Sequence, residues 1–460
     1  MAPPTSKRFI AVDYEKALEL TVNLRECLPA DHLARFVVAV ISLLDLSCIY
    51  VHYGNRGGQA YAPEILLGLL FYGYATGVFS SRKIEKATYE SIPFRFIAGG
   101  LHIDHDTIAS FRKTFLPEIR ELFVQILLLA YVAGVLKLGN ISLDGSKIHA
   151  DASKSKAVSY KRLLELEEQL HQEIEELLAL SEQADQVELP EGMVIEDEIT
   201  FRENRLANLA EAKTVLEARA QERYEAELAE YEAKMRAREE RAQQTGHKPR
   251  GRAPQPPVPG PHAKDQYNFT DPESRIMKNS TDGGFDQHYN VQVAVEQESF
   301  LIVSNTLSNH PNDYGEAIPT LDAVPAELGK PAAAALDNGY FSQNNITGME
   351  GRGIEPYIAT GREPHHRNWK AYFAEQPIPP PEDASPTVKM AYKLRTEIGR
   401  AIYRLRKCTV EPVIGIIKEV LGFRQFSLRG LAAAAGEWCL VCLAFNLKRL
   451  HKLLVASHWR

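Results

Sequence analysis

At 460 residues the chain has room for about three domains of ordinary size, and 45 % hydrophobic against 25 % charged residues is the balance of a soluble globular protein. Five cysteines (Cys27, Cys48, Cys408, Cys439, Cys442) are too few and too scattered for a disulfide framework, which points to a reducing cytosol. A net charge of -7 argues against nucleic acid only as an average: residues 391–460 hold 13 Lys and Arg against four Asp and Glu, while the acid concentrates between Glu165 and Glu240, so a basic C-terminal portion can face DNA.

The opening "MAPPTSKRFI" lacks a signal-peptide core, and the apolar run Ile65 to Phe79 falls short of the roughly 20 residues of a membrane span, so a soluble, cytoplasmic protein with no membrane partner is expected. Residues 1–137 read as helical. Pro63 opens "EILLGLLFYGYATG", apolar nearly all round, and "RKIEKATYE" forms a second helix. After Gly99 and Gly100, Asp106 can cap "TIASFRKTF", and Pro117 starts a helix running to Val135. Two short helices about a glycine break, the second exposing Ser110, Arg112 and Lys113, fit a helix-turn-helix reader of DNA as well as a plain bundle.

"ISLDGSKIHADASKSK" alternates apolar and polar residues up to Asp144-Gly145, a turn dipeptide, so Asp144 is expected at a strand tip. Beyond it, Leu163, Leu166, Leu170, Ile174 and Leu177 recur every three or four residues. A second such stretch holds Leu206, Leu209, Leu216, Tyr224, Leu228, Tyr231 and Met235, which predicts an antiparallel helical hairpin turning near Pro190 and Gly192. "GHKPRGRAPQPPVPGPH" then reads as a proline-rich linker too poor in large apolar residues to pack.

Tyr289 to Val295 and Phe300 to Val303 form a hairpin pattern, and Asn312 or Asp313 can cap the helix that follows. "PAAAALDNGYFS" gives a short strand from Ala332 to Leu336 that ends on Asp337 before an Asn-Gly turn, repeating the arrangement at Asp144. A third carboxylate, Glu411, stands in "YRLRKCTVEPVIGIIKEV". With Tyr403 at zero on a helix, Lys407, Arg400, Lys418, Glu411 and Arg404 all fall between about 40° and 100°, an acid within a cationic stripe, unless Pro412 breaks the helix. Three converging carboxylates repel by about 4 kcal/mol per pair at about 4 Å and an effective dielectric of about 20. Paired magnesium ions answer that repulsion with the hard cations that carboxylates prefer, and clamp a phosphodiester. The histidines of "HIDHD" and "IHAD" lack zinc spacing, and no phosphate-binding nucleotide loop is present.

"LDGSKIHADAS", "LDNGYFS" and "VEPVIGIIKEVLGFRQFSLRG" resemble the three acidic motifs of the DDE transposases of bacterial insertion sequences. "YAPEILLGLLFYGYATGVFSSRKIE" and "DHDTIASFR" resemble their N-terminal helical domain, and "AFNLKRL" extends the likeness. The resemblance implies an α/β (α+β) chain whose catalytic domain is a ribonuclease H-like mixed sheet with flanking helices. It would comprise residues 138–153 and 262–430, after an all-α DNA-binding domain over 1–137. A helical hairpin (154–245), a proline-rich linker (246–261) and a C-terminal helix (431–460) complete the chain. It further implies Asp144, Asp337 and Glu411 as catalytic and metal-binding residues for two Mg2+ ions, with Mn2+ as an alternative, and a homodimer acting on terminal inverted repeats and target DNA.

The third motif of many relatives reads Tyr-x2-Arg-x3-Glu-x6-Lys. Here Glu411 and Lys418 keep their spacing, Arg404 and Lys407 stand where tyrosine and arginine are expected, and Tyr403 and Arg406 lie one residue early. Lys418, Lys407, Arg404, Arg400, Arg112 and Lys113 are the expected DNA contacts. A metal-dependent nuclease without strand transfer, and a non-catalytic DNA-binding or coiled-coil protein, are the alternatives.

Overall fold

A computed structural model describes residues 23–53, 60–182, 190, 193–247, 251–279, 283–361 and 378–457. The N-terminal helices are α1 (Leu33–Ile41), α2 (Ser47–Tyr50), α3 (Pro63–Ala75), α4 (Ser81–Glu90), α5 (Ile92–Ile97), α6 (His105–Thr114) and α7 (Leu116–Val132). Pro63 sits in the first turn of α3, where no N–H is needed, and every residue from Leu66 to Ala75 is buried, as its all-round apolar sequence requires. Asp104, not Asp106, caps α6, its side chain accepting the Thr107 N–H at 2.8 Å. That helix packs on α3, α4 and α7. The expected outward face of α6 is therefore only partly exposed: Ser110 and Lys113 reach solvent, but Arg112 does not.

The sheet follows. Strands β1 (Asn140–His149), β4 (Arg275–Lys278), β5 (Phe285–Glu296), β6 (Ile302–Ser308), β7 (Ala333–Leu336) and β8 (Glu355–Ile358) form one mixed sheet in the order β4-β5-β1-β7-β8, with β6 also on β5. β5 is antiparallel to β1, β4 and β6, whereas β1, β7 and β8 run parallel. Helices α10 (Ala317–Asp322), α11 (Gln343–Gly351), α12 (Pro386–Arg395), α13 (Glu397–Gly415) and α14 (Leu431–Ser457) flank it. The architecture is the ribonuclease H-like mixed sheet with flanking helices and an N-terminal all-α region.

The alternation in β7 assigns the faces: Ala334 and Leu336 enter the main core, while Ala333 and Ala335 meet Leu394, Ile402 and Tyr403 of α12 and α13. The alanines leave room for α13 to lie close to the sheet. α14 packs against α3, α7 and β6, so the N-terminal helices and the sheet share one continuous core. Its Leu431–Val455 stretch, rather than Ile65–Phe79, is long and apolar enough to cross a membrane. About two thirds of that window (67 %) is buried inside the protein, with Trp438, Cys439 and Cys442 in the core, as expected of a central helix.

The insertion comprises the small β2 (Ala157–Ser159)–β3 (Gln266–Asn268) pair, α8 (Tyr160–Glu182) and the 51-residue α9 (Ile195–Thr245). Glu173 meets Arg202, Glu167 meets Lys213, and Tyr160 meets Glu217, a descending series that makes the helices antiparallel. Leu163, Leu170, Leu209 and Leu216 form its own core. Of the expected turn, Gly192 lies outside the described residues.

The proline-rich stretch departs from expectation. Arg238 of α9 donates to the Gly251 carbonyl at 2.7 Å and Arg223 to that of Gly260 at 3.0 Å, so the segment runs back along the helix. Pro254, Pro257 and Gly260, spaced by three, are its partly buried positions. Tyr224, Leu228, Tyr231 and Met235, partly buried at helical spacing, lie on α9 between those two arginines. A stiff extended chain gives up little entropy on docking, which offsets its lack of large apolar side chains.

Candidate active site

Asp144 does not end its strand. β1 continues to His149, paired with β5 from Ile141↔Glu296 to His149↔His288, and Asp-Gly is a pleated dipeptide rather than a turn. What ends at this level is the parallel neighbour: β1 pairs β7 only from Asn140↔Ala333 to Ser142↔Ala335. Extending that register by two residues sets Asp337 opposite Asp144 on the same face, near enough for its charge to act on the Asp144 carboxyl. Gly145 is needed for a different reason. A Cβ there would collide with Gln292 Nε2 and lie 2.7 Å from Asp313 Oδ1. Asp313, expected as a cap, instead accepts from Asn290 and Gln292, both at 2.8 Å, and α10 starts after Glu316 without a side-chain cap.

Asp337 closes its own turn, Oδ1 accepting the Gly339 N–H at 2.7 Å. Glu411 comes from α13, which stays helical through Pro412 because the cap at Thr396 and the packing of Thr409, Val410 and Val413 hold it. Proline lacks the N–H that Cys408 would receive, and soon afterwards the helix widens into a π turn over Ile416–Val420, with Leu421 N–H donating to the Ile416 carbonyl at 2.9 Å.

Successive β1 residues on this face each take a partner from α13 or the π turn. Ser142 Oγ accepts from Thr409 Oγ1 at 2.8 Å and from Gln297 at 3.0 Å. Asp144 Oδ2 accepts from Arg406 Nη1 at 3.1 Å. Ser146 Oγ accepts from Lys418 Nζ at 3.1 Å, and Lys418 also reaches the Lys147 carbonyl at 3.3 Å. The second guanidinium nitrogen of Arg406 donates to Glu411 Oε1 at 3.0 Å, so one buried arginine joins Asp144 on the sheet to Glu411 on the helix. Tyr403, one turn earlier, places its ring 5.9 Å from that guanidinium.

Burial lifts the Asp144 carboxyl to about 7, with the neighbouring charges of Asp337 and Glu411 adding to the rise and Arg406 and the Gly145 N–H opposing it. Asp337 is raised too, chiefly by burial and also by Asp313, against its bond from Gly339 and the charge of Arg406. Burial works against the charge of Arg406, but Asp144, Tyr403 and Glu411 outweigh it and its pKa rises. Lys418 is lowered by burial.

Among the described residues no three His, Cys, Asp or Glu side chains already form a cage for an ion. The donor chemistry nonetheless fits a hard divalent cation: hard carboxylate oxygens, two of the three carboxyls with proton affinity raised by burial, and a cation already between Asp144 and Glu411.

Of the expected DNA contacts, Lys418 lies against Ser146, two residues beyond Asp144 on β1, and Arg400, Arg404 and Lys407 are exposed on α13. Arg112 requires correction. It is 7 % exposed, donating to Tyr74 Oη at 2.8 Å and the Phe79 carbonyl at 3.1 Å, and it lies 3.8 Å from Glu437, so it cannot reach a phosphate. Arg406, set aside on spacing, is the residue that sequence reasoning missed. Its signal was the intact Tyr-x2-Arg pair one position early, and a long side chain makes up the difference.

Two family models match the chain: "Transposase domain (DUF772)" over residues 22–114 and "Transposase DDE domain" over residues 381–451. The two matches support a DDE transposase of an insertion sequence. The second covers Arg406, Glu411 and Lys418, while Asp144 and Asp337 fall between the matched stretches. No curated protein and no solved structure matches the chain.

Proposed function

We propose that this transposase cleaves the ends of its insertion sequence and transfers the freed 3′-hydroxyl to target DNA, with Asp144, Asp337 and Glu411 as the catalytic carboxylates. The observation that carries the reading is the register of β1 and β7. Continued by two residues, it would set two acids that are distant in sequence opposite one another, on the face where Arg406 bonds to both Asp144 and Glu411. The three carboxylates would hold two Mg2+ ions, or Mn2+, whose chemistry when bound is to activate the attacking oxygen and to balance charge on the phosphodiester.

Lys418, bonded to Ser146 two residues beyond Asp144, would fix a phosphate of the element end. Arg400, Arg404 and Lys407 continue the basic surface along α13, and Lys113 serves the N-terminal region. In the first step water attacks the end phosphodiester, leaving a 3′-hydroxyl and a 5′-phosphate. In the second, that hydroxyl attacks target DNA and a target 3′-hydroxyl departs, with no covalent enzyme intermediate. Joining two ends calls for a homodimer on DNA, acting in the cytoplasm on nucleoid-associated DNA.

The test supplies end DNA, target DNA and Mg2+. Asp144→Ala, Asp337→Ala and Glu411→Ala each abolish cleavage and joining while end binding persists. Cleavage retained in all three rejects the assignment. Pre-cut ends that are never joined reject strand transfer and leave a nuclease.

A further inference from the structure

We infer that Arg406 is a resident counter-ion of the site: its guanidinium stands between Asp144 and Glu411 where a divalent ion would bind, and it withdraws when the ion enters. The inference rests on the reading of Asp144, Asp337 and Glu411 as ion ligands. Its own evidence is geometric.

Arg406 is 6 % exposed, and its two terminal nitrogens each meet a different carboxylate, at 3.1 and 3.0 Å. The third nitrogen, Nε, is buried without any hydrogen-bond partner. A structural arginine in a core normally satisfies its whole fork, because an unpaired buried donor is costly. The hydrogen bonds of Arg406 go to two acids, with the Tyr403 ring 5.9 Å from the guanidinium, so an ion that takes those acids removes its ionic anchorage. Glu411 is the more exposed of the pair: its side chain is 47 % exposed against 18 % for Asp144. A single positive charge balances one acid, whereas a divalent ion balances two, so exchange favours the ion as carboxylates converge. The departing guanidinium then adds to the basic surface formed by Lys407 and Lys418.

The test measures Mn2+ binding to the full chain without DNA, by electron paramagnetic resonance of free Mn2+. Arg406→Gln is expected to lower the dissociation constant about ten-fold, the factor gained when a closed state holding about nine-tenths of the molecules is abolished. Arg406→Lys, which keeps a buried charge but can touch only one acid, lowers it by a smaller factor and supplies the readout if the glutamine variant does not fold. Binding that is unchanged or weaker in the variants that fold overturns the inference. Asp144→Asn separates the two layers: if it weakens Mn2+ binding, the site reading stands whatever Arg406 does, and if it has no effect, the site reading itself falls.

Discussion

Asp144→Asn should stabilise the transposase while destroying its chemistry. Burial moves this carboxyl from an ordinary 3.8 to about 7. Between those values the native chain keeps a proton that the unfolded chain has released. Stability contributed by this group is therefore intact below the unfolded value and falls as pH rises through the window from about 4 to 7. Above it the charged form costs roughly 4 kcal/mol, at 1.36 kcal/mol per pH unit. Asparagine resembles the protonated acid: it keeps one acceptor oxygen, which serves either the Gly145 N–H or Arg406, and forfeits the ionic contact with Arg406. Its net gain at pH 8 is thus roughly 2 to 4 kcal/mol, vanishing near pH 4. For 460 residues unfolding together, at about 2.1 cal/mol/K per residue, each kcal/mol is about 1 °C in Tm, so calorimetry in chelator should show a gap of about 2 to 4 °C at pH 8 and none near pH 4. An asparagine variant no more stable than the wild type at pH 8, or a gap independent of pH, refutes the reasoning.

Gly145→Ala forces a Cβ against Gln292 and Asp313 and should cost about 1 to 3 kcal/mol, read as a lowered denaturation midpoint. Glu437→Gln can keep the bonds from the Ser427 and Leu428 N–H groups, but it sets an NH2 where an oxygen accepted from Tyr74 and removes the charge facing buried Arg112. A loss of about 3 kcal/mol is expected, and part of it should return when Arg112→Met is added. Lys418→Ala should reduce the salt dependence of end binding by about one phosphate contact, with a stability change under about 1 kcal/mol. An unchanged salt slope removes Lys418 from the DNA surface.

The elements that local pattern controls were legible: the buried α3, the α8–α9 hairpin, the β5–β6 pair, and the short alanine strand that ends on Asp337. Asp144 was legible as an acid worth attention but not as a mid-strand residue. Asp-Gly carries a turn signal in isolation, and the pairing with β5 that overrides it lies nearly 150 positions away in the chain. The glycine answers to Gln292 and Asp313, neighbours no local window contains. Arg112 looked like a surface cation because its partner Glu437 belongs to the last helix. Helical projection gave the exposed stripe of Arg400, Arg404 and Lys407. It could not foresee the π turn that carries Lys418 to Ser146, nor Arg406 reaching across to two acids. In the proline-rich segment, composition reported the missing apolar bulk but not the bonds from Arg238 and Arg223 that lay it along α9.

The most direct test of the central claim is the anomalous scattering of Mn2+ in crystals of the full chain bound to its element end. The account predicts manganese between the carboxylates of Asp144 and Asp337, with Glu411 as a further ligand and Arg406 turned away. Manganese bound elsewhere, in crystals whose DNA is nonetheless cut, would contradict it.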